Sequence, residues 1–411
     1  MFRGSGGRTA VMKGKSILFG VTGGIAAYKS AELVRLFVRD GARVRVMMTK
    51  NAQEFITPLT LQTLSGHPVY RETFSLVRDF DIAHIALAEE ADIVVIAPAT
   101  ANVIGKIASG LADDLLTTVV MATKAPVLIC PAMNTRMYEN VIVQENIRRL
   151  AERGYHLMEP GAGELACKSE GVGRLPDPPD ILEAVLSILT VKDLAGETVL
   201  VTAGPTREPF DPVRFITNYS TGKMGYALAA RARRRGASVI LVSGPTALPV
   251  PEGVVFAPVS SAVEMRDAVM RNLKQATIVI KSAAVADYRP SVCAGEKIKK
   301  KNGLLSLQLE RNPDIIAEIG KKKKNRILIG FAMESEALVE NAKAKLLAKN
   351  MDLIVANDLK QEGAGFRSDT NIVKILDREG GMEELPLMEK ADVADRILDR
   401  AKAMIARRTK L

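Results

Sequence analysis

The sequence contains no tryptophan, and only 4% of its residues are aromatic. Because proteins usually hold single-stranded nucleic acids on stacked aromatic side chains, this scarcity disfavours a base-stacking surface. The 411 residues include three cysteines, Cys130, Cys167 and Cys293, which are widely spaced and form no Cys-x-x-Cys pair. An odd number with such spacing argues against a disulfide framework and favours a reducing compartment.

Histidine pairs and long hydrophobic runs are also missing. The three histidines lie far apart in the chain, so no dedicated zinc site is expected. Apolar stretches such as Ile93 to Ala97 have the length of strands, whereas a membrane span needs about 20 residues. The Gly- and Arg-rich first ten residues carry no apolar core of a signal peptide. We therefore expect a cytoplasmic protein with no membrane partner.

The composition is otherwise that of a globular protein with a positive excess. Hydrophobic residues make up 47% and charged residues 25%, and 57 basic against 47 acidic side chains give a net charge of +10. The excess is concentrated around Lys297 to Lys301 and in Lys321 to Lys324. Such clusters attract nucleic acids or small polyphosphates, and both partners remain open at this point.

The chain length predicts two or three domains at about 150 residues each, and the pattern of elements favours two. In the first half, strands are predicted at 16–21, 43–48, 92–97 and 126–130, and helices at 25–40, 102–108, 113–123, 138–153 and 180–189. Strands that alternate with helices indicate a mostly parallel sheet covered on both faces. The run Pro176-Asp-Pro-Pro179 then stiffens the chain, and we expect a domain boundary near residue 190.

The second half repeats the alternation. Strands are predicted at 198–202, 238–242, 277–281, 326–330 and 353–356, and helices at 224–235, 262–274, 315–321 and 336–349. Ser261 and Glu264 have the spacing of a capping box at the start of one helix. We therefore expect two doubly wound Rossmann-like α/β domains, residues 1–190 and 191–411.

Ligands of such sheets bind where strands end and helices begin. In the first half, Gly20 to Lys29 (GVTGGIAAYK) occupies this position but lacks the GxGxxG spacing of a dinucleotide site. A GxGxxA match at Gly161 to Ala166 runs into further glycines, and we interpret that segment as a mobile loop. Ala97 to Asn102 (APATAN) and Pro131 to Asn134 (PAMN) follow two strongly apolar strands.

Three side chains of the first half are candidates for chemistry. His84 suits proton transfer near neutral pH, although a lone histidine is more often structural. Asn134 either faces the crevice at the strand ends or satisfies a turn. Cys167 lies in a Gly-rich, basic-flanked segment, where a thiol is a candidate acid or nucleophile on a lid.

In the second half, Asn218 to Gly225 (NYSTGKMG) precedes a predicted helix. It is not a Walker A loop, because Thr217 and Met224 replace the required Gly and Ser/Thr, but its amides and hydroxyls suit a phosphate. Asp287 ends another strand near the Lys297 cluster in sequence. A carboxylate beside lysines is expected where a metal-bound triphosphate is held.

Taken together in their order, these segments resemble one family over nearly the whole chain. It is the bacterial bifunctional coenzyme A biosynthesis family, which joins phosphopantothenoylcysteine decarboxylase to phosphopantothenate–cysteine ligase. Lys168 and Tyr138 stand where the family pattern leads us to expect Gly and Trp. The segments that carry the resemblance are GVTGGIAAYK, the His84 region, APATAN, PAMN, GELACKSEG, AGPTREPFDPVRFITNYSTGKMG, AAVADYRP and KIKK.

For the first domain, the resemblance implies a flavodoxin-like flavoprotein that uses FMN to decarboxylate phosphopantothenoylcysteine to 4'-phosphopantetheine. Oxidation of the substrate CH₂–SH to a thioaldehyde makes loss of CO₂ feasible, and the reduced flavin then returns the electrons. His84 would be the base, Asn134 would grip the substrate carboxylate, and Cys167 would donate a proton. The residues implied to hold FMN are Gly23, Gly24, Ala26, Ser30, Ala99, Thr100 and Asn102.

For the second domain, the resemblance implies a CTP-dependent ligase. 4'-Phosphopantothenate would attack the α-phosphate of CTP, and cysteine would displace CMP from the acyl-cytidylate, with Mg²⁺ on the triphosphate. Asn218 and Lys297 match residues associated with the activated intermediate, and Asp287 is the candidate metal ligand. The implied nucleotide contacts are Ser220, Ala284, Asp287, Phe331, Lys345 and Lys349. The family also implies a homo-oligomer, a dodecamer.

Two other classes remain as alternatives: an NAD(P)-dependent oxidoreductase and a basic nucleic-acid-binding protein. The missing GxGxxG argues against the first, and the few aromatic residues argue against the second. We therefore expect an enzyme that acts on 4'-phosphopantothenate, cysteine and CTP, with no nucleic-acid partner.

Overall fold

The computed structural model describes residues 11–73, 83–164, 170–299, 305–334, 338–358, 365 and 368–408. The chain divides into two compact units, with the division between Thr190 and Val191. Among the described helices, none has the length and the apolar character that crossing a bilayer would demand.

The first unit is built on a six-stranded parallel sheet. Its strand order is β3-β2-β1-β4-β5-β6, the order of the dinucleotide-binding doubly wound fold, which differs from the 2-1-3-4-5 order of flavodoxin. A separate two-stranded antiparallel hairpin is formed by β7 and β8. The strands are β1 Ser16–Val21, β2 Arg43–Met48, β3 Val69–Tyr70, β4 Ile93–Ala99, β5 Val127–Pro131, β6 His156–Leu157, β7 Gly161–Glu164 and β8 Glu170–Arg174.

Helices cover both faces of this sheet, and two hydrophobic cores lie between the layers. The strands β1 and β4 are buried along their whole length, as expected for a central parallel sheet. The helices are α1 Ser30–Arg39, α2 Pro58–Ser65, α3 Ala83–Glu90, α4 Ala101–Ser109, α5 Leu115–Ala122, α6 Thr135–Tyr138, α7 Val141–Glu152 and α8 Pro178–Leu189, with 3₁₀ turns at Ile25–Lys29 and Lys50–Glu54.

The second unit repeats the same strand order and extends it. The parallel strands run β13-β12-β9-β14-β17-β18, and an antiparallel pair, β19 and β20, continues the sheet. Two short antiparallel hairpins, β10–β11 and β15–β16, stand outside it. The strands are β9 Thr198–Ala203, β10 Arg207–Pro209, β11 Phe215–Thr217, β12 Ser238–Ser243, β13 Val255–Pro258, β14 Ile278–Lys281, β15 Tyr288–Pro290, β16 Leu309–Arg311, β17 Ile327–Glu334, β18 Leu353–Asp358, β19 Thr370–Asp377 and β20 Met382–Glu389.

Five helices cover the described part of this sheet, again with a hydrophobic core on each face. Ser261 caps the second of them as expected, since its hydroxyl accepts the amide of Glu264 at 3.3 Å. The carboxylate of Glu264 accepts the amide of Ser260 at 2.8 Å. The helices are α9 Lys223–Arg234, α10 Ala262–Asn272, α11 Ile315–Lys321, α12 Leu338–Ala348 and α13 Lys390–Arg408.

The predicted α/β class and the doubly wound arrangement of both halves are confirmed, and local details differ. The helix expected over 25–40 begins as a 3₁₀ turn and becomes α-helical only at Ser30. The helix expected over 138–153 is split, because Asn140 adopts an extended conformation and caps a new helix. Of the segment interpreted as a mobile loop, Gly161–Glu164 instead forms β7, which pairs with β8, and its remaining residues lie outside the described ranges.

Candidate active sites

The strand order of the first unit reverses between β1 and β4, and one buried hydroxyl joins the two strand ends there. Thr22, the residue after β1, donates to the carbonyl of Pro98 at 2.7 Å and accepts the amide of Thr100 at 3.0 Å. Thr100 in turn caps α4, since its hydroxyl accepts the amide of Val103. The bonds place the start of α4 beside the turn that follows β1, where doubly wound sheets bind their ligands.

Glycine is required in that turn because the chain passes close to its neighbours. A Cβ on Gly23 would lie 2.4 Å from the Cβ of Asn51 and 2.9 Å from its carbonyl carbon. At Gly24 a Cβ would meet only the methyl group of Thr100, at 3.6 Å. The two glycines therefore have different roles, and Gly23 is the one that the packing demands.

A cleft of about 960 Å³, here called the first cleft, opens above these residues. This volume lies within the range of small-molecule and cofactor pockets. Four basic side chains and one acidic side chain line the cleft, so the first cleft favours an anionic ligand. They are Lys29, Lys50, Lys106, Arg174 and Asp114.

The β7–β8 hairpin closes one side of the first cleft by packing against the PAMN segment. The amide of Met133 donates to the carbonyl of Gly173 at 3.0 Å, and a Cβ on Gly173 would lie 2.2 Å from the carbonyl oxygen of Met133. This close approach brings Arg174, the last residue of β8, into the lining. Glycine at position 173 is thus explained by contact with the backbone beneath it.

Asn134 lines the first cleft and also satisfies a turn, so both expectations for it hold. Its Oδ1 accepts the amide of Arg136 at 2.9 Å and caps the short helix α6. With Oδ1 held in this way, the donor that the side chain offers is Nδ2. An amide donor at the edge of a basic cleft suits a carboxylate.

The other predicted residues of the first unit divide into two groups. Gly23, Gly24, Ala26, Thr100 and Asn102 line the first cleft. Ser30 and Ala99 are fully buried and are not among the residues that line it, so their expected contact with FMN stays a prediction. Ser30 has a positioning role, since its hydroxyl donates to the carbonyl of Ala97 at 3.0 Å and ties α1 to β4.

Two predicted residues of the first unit, His84 and Cys167, are not among the described residues that line this cleft. His84 lies in α3, is half-buried, and is absent from the lining. Among the described residues its buried Nδ1 has no hydrogen-bond partner. The expectation for Cys167 concerns a residue outside the described ranges.

The second unit repeats the joined strand ends at its own reversal point, between β9 and β14. The amide of Ala284 donates to the carbonyl of Gly204 at 3.0 Å, and Thr206 accepts the amide of Ala286 at 3.0 Å. Asn218 is fastened to the same place, because its Nδ2 donates to the carbonyl of Ala284 at 2.9 Å. The structure thus brings together two of the predicted residues, Asn218 and Ala284.

The NYSTGKMG loop ends in a turn that only glycine accommodates easily. Gly222 has a φ of +82°, and a Cβ there would lie 2.7 Å from the methyl group of Thr246. Ser220 accepts the amide of Gly222 at 3.3 Å, which shapes the turn before α9. The same helix packs against β9 through Gly225, where a Cβ would lie 2.5 Å from that of Ala203.

A second cleft of about 470 Å³ lies at the end of β14, and Phe331 of β17 and Ile354 of β18 also line it. It contains four of the predicted residues, Asp287, Phe331, Lys345 and Lys349. Ser220, Ala284, Asn218 and Lys297 are not among the residues that line it. Four basic and two acidic side chains give the lining a positive excess, and they are Lys281, Arg311, Lys345, Lys349, Asp287 and Asp314.

Three of these side chains, Lys281, Arg311 and Asp314, were not predicted, and the pKa values of Lys281 and Asp314 are shifted. Burial, together with the nearby charge of Lys349, lowers the pKa of Lys281 to about 8. Asp314 binds Lys349 at 2.9 Å and also caps α11, accepting the amide of Ala317 at 3.1 Å. The hydrogen bond from Lys349 and that from the backbone amide lower the pKa of Asp314 against the effect of burial.

For three of the residues that line the clefts and were not predicted, the surrounding sequence gives only a weak indication of their place. Lys281 ends a strand whose other residues are apolar, and a lysine in such a place marks an environment that differs from open solvent. Asp314 stands directly before a helix, which indicates a cap and not a ligand contact. Arg174 follows a Gly-rich segment that carries no periodicity.

The geometry defines a protein of two α/β units, each with a cleft whose charged side chains are mainly basic. Residues 8–190 match the family model described as Flavoprotein. Residues 194–404 match the model described as DNA/pantothenate metabolism flavoprotein C-terminal domain.

Known proteins resemble the chain over nearly its full length. It is 50% identical over 398 residues to a coenzyme A biosynthesis bifunctional protein CoaBC of Bacillus subtilis, covering 96% of this chain and 98% of that one. The Vibrio cholerae protein of the same name is 47% identical, covering 94% and 98%. A crystal structure of the C-terminal domain of such a protein is 44% identical, covers 52% of this chain and 98% of that one, and has a TM-score of 0.46.

The chain belongs to the family of bifunctional coenzyme A biosynthesis proteins. The resemblance stated from the sequence is confirmed, and with it the assignment as a bifunctional decarboxylase and ligase with a flavoprotein domain. The oxidoreductase and nucleic-acid-binding alternatives are thereby set aside.

Proposed function

We propose that the first cleft binds FMN and decarboxylates phosphopantothenoylcysteine, and that the second unit makes this substrate from 4'-phosphopantothenate, cysteine and CTP. The observation that supports the proposal is that several of the predicted residues in each unit line a cleft whose charged side chains are mainly basic. The two reactions are consecutive, because the product of ligation is the substrate of decarboxylation.

The residues of the first cleft fit FMN. Gly23 allows the turn after β1 to lie close to Asn51, and Gly24 leaves open space in front of Thr100, so a flat ring system has access to the backbone. Lys29, Lys50 and Arg174 supply positive charge for a phosphate. When bound, FMN supplies a two-electron acceptor that makes cleavage of the carboxylate from the cysteinyl unit feasible.

The chain's own side chains would bind and orient the substrate. Asn134 Nδ2 is suited to hold the carboxylate that leaves as CO₂, because α6 and the bond to Arg136 fix the plane of its amide. Lys106 remains charged, since its bond to Asp113 raises its pKa. The basic side chains of the first cleft are therefore suited to the phosphate of FMN and to the phosphate of phosphopantothenoylcysteine.

We further propose that His84 serves as the base in the first cleft of a second copy of the chain. This follows from two facts: His84 does not line the first cleft of its own chain, and its Nδ1 has no partner among the described residues. A homo-oligomer that shares its active sites would satisfy both. The dodecamer implied by the family is compatible with such sharing.

Mixing two inactive variants tests this arrangement. His84→Asn and Asn134→Asp should each abolish CO₂ release. If each cleft takes its two residues from different copies, subunit exchange between the variants restores up to about a quarter of the wild-type rate, the statistical share of intact sites at random mixing. Mixtures that stay inactive although the subunits have exchanged would refute the shared site.

In the second unit, CTP would occupy the second cleft with its triphosphate near Lys281, Lys345 and Lys349. The reaction forms a bond between the 4'-phosphopantothenate carboxylate and the α-phosphate and releases pyrophosphate. The amine of cysteine then attacks the acyl carbon, and CMP leaves. Asn218, held by Ala284, would stabilise the acyl-cytidylate.

Mg²⁺ fits this cleft as an ion held mainly by the triphosphate. Among the described residues there is no group of three or more His, Cys, Asp or Glu side chains arranged for a metal. Asp287 is an exposed carboxylate on the cleft lining. One carboxylate together with substrate phosphates is a common way in which proteins hold Mg²⁺.

Pyrophosphate release tests the ligase proposal without cysteine. It should require CTP, Mg²⁺ and 4'-phosphopantothenate together, and cysteine should then release CMP. His84→Asn serves as the matched control, because it should leave both steps intact. Pyrophosphate release that does not depend on 4'-phosphopantothenate would contradict the proposed acyl-cytidylate.

A further inference from the structure

The segment that carries Lys297 is fastened by one buried carboxylate. Asp211 lies between β10 and β11, and its side chain is fully buried. Its Oδ2 accepts the amide of Ile298, the residue after Lys297, at 3.2 Å, and its Oδ1 accepts the amides of Val213 and Arg214 at 2.9 and 2.8 Å. The carboxylate therefore joins two segments that are far apart in sequence.

Arg214 completes the connection from the other side of the peptide. Its Nε donates to Asp211 at 2.9 Å, and its Nη2 donates to Asp211 and, at 3.0 Å, to the carbonyl of Ile298. The guanidinium lies over the ring of Phe210, 5.2 Å from the ring centre. The carbonyl of Phe210 accepts the amide of Ala294 at 3.0 Å. Both polar groups of the Ile298 backbone are thus held by the Asp211–Arg214 pair.

The same hairpin leads directly to Asn218. β11 ends at Thr217, and Asn218 is fixed to Ala284 by its side-chain amide. The segment from Asp211 to Asn218 therefore connects Asn218 with the Lys297 segment, and the family resemblance associates both residues with the activated intermediate. Arg214 lowers the pKa of Asp211 far below its ordinary range, with further contributions from the backbone amides, so this carboxylate stays charged.

We propose that Asp211 is a positioning residue for ligation, which holds the Lys297 segment at the Asn218 hairpin. The proposal rests on the proposed function of Lys297 and Asn218. Asp211 does not line the second cleft, and it acts through the backbone of Ile298. Lys297 itself is exposed, so its location depends on the backbone bonds of the residue that follows.

Trypsin cleavage of the full-length protein tests the positioning without relying on activity. Cutting after Lys297 requires the Ile298 backbone to leave Asp211 and Arg214. Asp211→Asn should speed the appearance of the fragment that begins at Ile298 by about tenfold, the factor expected from loss of a charge-assisted hydrogen bond. The control Glu318→Gln removes a similar bidentate carboxylate–arginine pair with Arg266 and should leave that rate unchanged. Equal rates for Asp211→Asn and wild type would overturn the proposal.

A double-mutant cycle tests whether Asp211 acts through Lys297. Asp211→Asn should lower kcat for pyrophosphate release about tenfold with little change in the KM for CTP, but less than about twofold when Lys297 is already alanine. Equal losses in both backgrounds would show a general structural role and overturn the proposal. If wild-type protein releases no pyrophosphate, the proposed function fails, and the cleavage result still decides the positioning.

Should Asp211→Asn not fold, Arg214→Lys replaces it. The lysine keeps the charge but cannot bond Asp211 and the Ile298 carbonyl with one planar group. The same faster cleavage after Lys297 is expected, and unchanged cleavage in a folded Arg214→Lys protein would overturn the proposal.

Discussion

The buried hydroxyl of Thr22 offers a sharp test of how the first cleft is built. Thr22→Val keeps the shape of the side chain but removes the bonds to Pro98 and Thr100, which measure 2.7 and 3.0 Å. Thr22 is fully buried, so the Pro98 carbonyl and the Thr100 amide lose their partner. Each orphaned group costs about 1–3 kcal/mol, and we expect a loss of about 2–4 kcal/mol in the free energy of unfolding of the first unit.

Calorimetry of the full-length protein measures this loss. For a unit of this size, the expected change lowers the unfolding midpoint by roughly 5–15 °C. Addition of CTP with Mg²⁺ should raise only the transition of the second unit, which assigns the two transitions. Flavin binding by Thr22→Val should also weaken, because Thr100 no longer holds the start of α4 beside the turn.

Two matched variants isolate the hydroxyl. Thr22→Ser keeps both hydrogen bonds and loses only a methyl group, so it should cost about 1 kcal/mol. Thr118→Val removes a helical bond to the carbonyl of Asp114 at a partly exposed site and should cost less than about 1 kcal/mol. If Thr22→Val is as stable as wild type, or more stable than Thr22→Ser, the bonds at the reversal point do not support the cleft as argued.

Two further predictions concern the two clefts. Gly23→Ala should weaken FMN binding by about 10–100-fold in a fluorescence titration, since its Cβ would lie 2.4 Å from Asn51. The control Gly105→Ala, whose Cβ would lie 3.7 Å from Asn146, should bind FMN as wild type does. Equal FMN affinities for the two variants would refute the packing argument. With the pKa of Lys281 lowered to about 8 from its ordinary 10.5, CTP affinity should fall as pH rises from 7 to 9, because the bound triphosphate favours the charged amine. Lys281→Met should bind CTP more weakly, and its CTP affinity should not depend on pH in this way. If the CTP affinity of the variant fell with pH in parallel with that of wild type, the role of Lys281 would be contradicted. The free energy of unfolding should change with pH in the opposite direction. Between about pH 8 and 10.5 Lys281 is protonated in the unfolded chain but largely neutral in the folded protein, so its contribution to stability rises with pH over that window.

Much of the fold follows from local patterns. The buried strands β1 and β14 lie within one residue of their expected bounds, because apolar runs flanked by helices leave few alternatives. The two short hairpins of the second unit and the β19–β20 pair were not predicted. Their residues are largely exposed or mixed in character, so no period marks them.

Several predicted residues that line a cleft lie in the turns that follow strands, as Gly23 and Thr100 do. Phe331 and Lys345, which only the family resemblance indicated, line the second cleft from within β17 and α12. Ser30 lies in α1, and its hydroxyl donates to the carbonyl of Ala97. For such a residue, the direction of the side chain depends on packing that no local pattern encodes.

What the sequence determined by itself is the chemistry available at each strand end: glycines that permit close approach, a lone histidine, amides and lysines in a set order. Which of these groups meet was decided by the tertiary structure. Lys281, Asp314 and Arg174 enter the clefts, and Asp211 reaches the Lys297 segment, because the fold brings distant parts of the chain together. The physical reason is that burial and pairing energies depend on neighbours in space, which are 87 residues apart in sequence for Asp211 and Ile298.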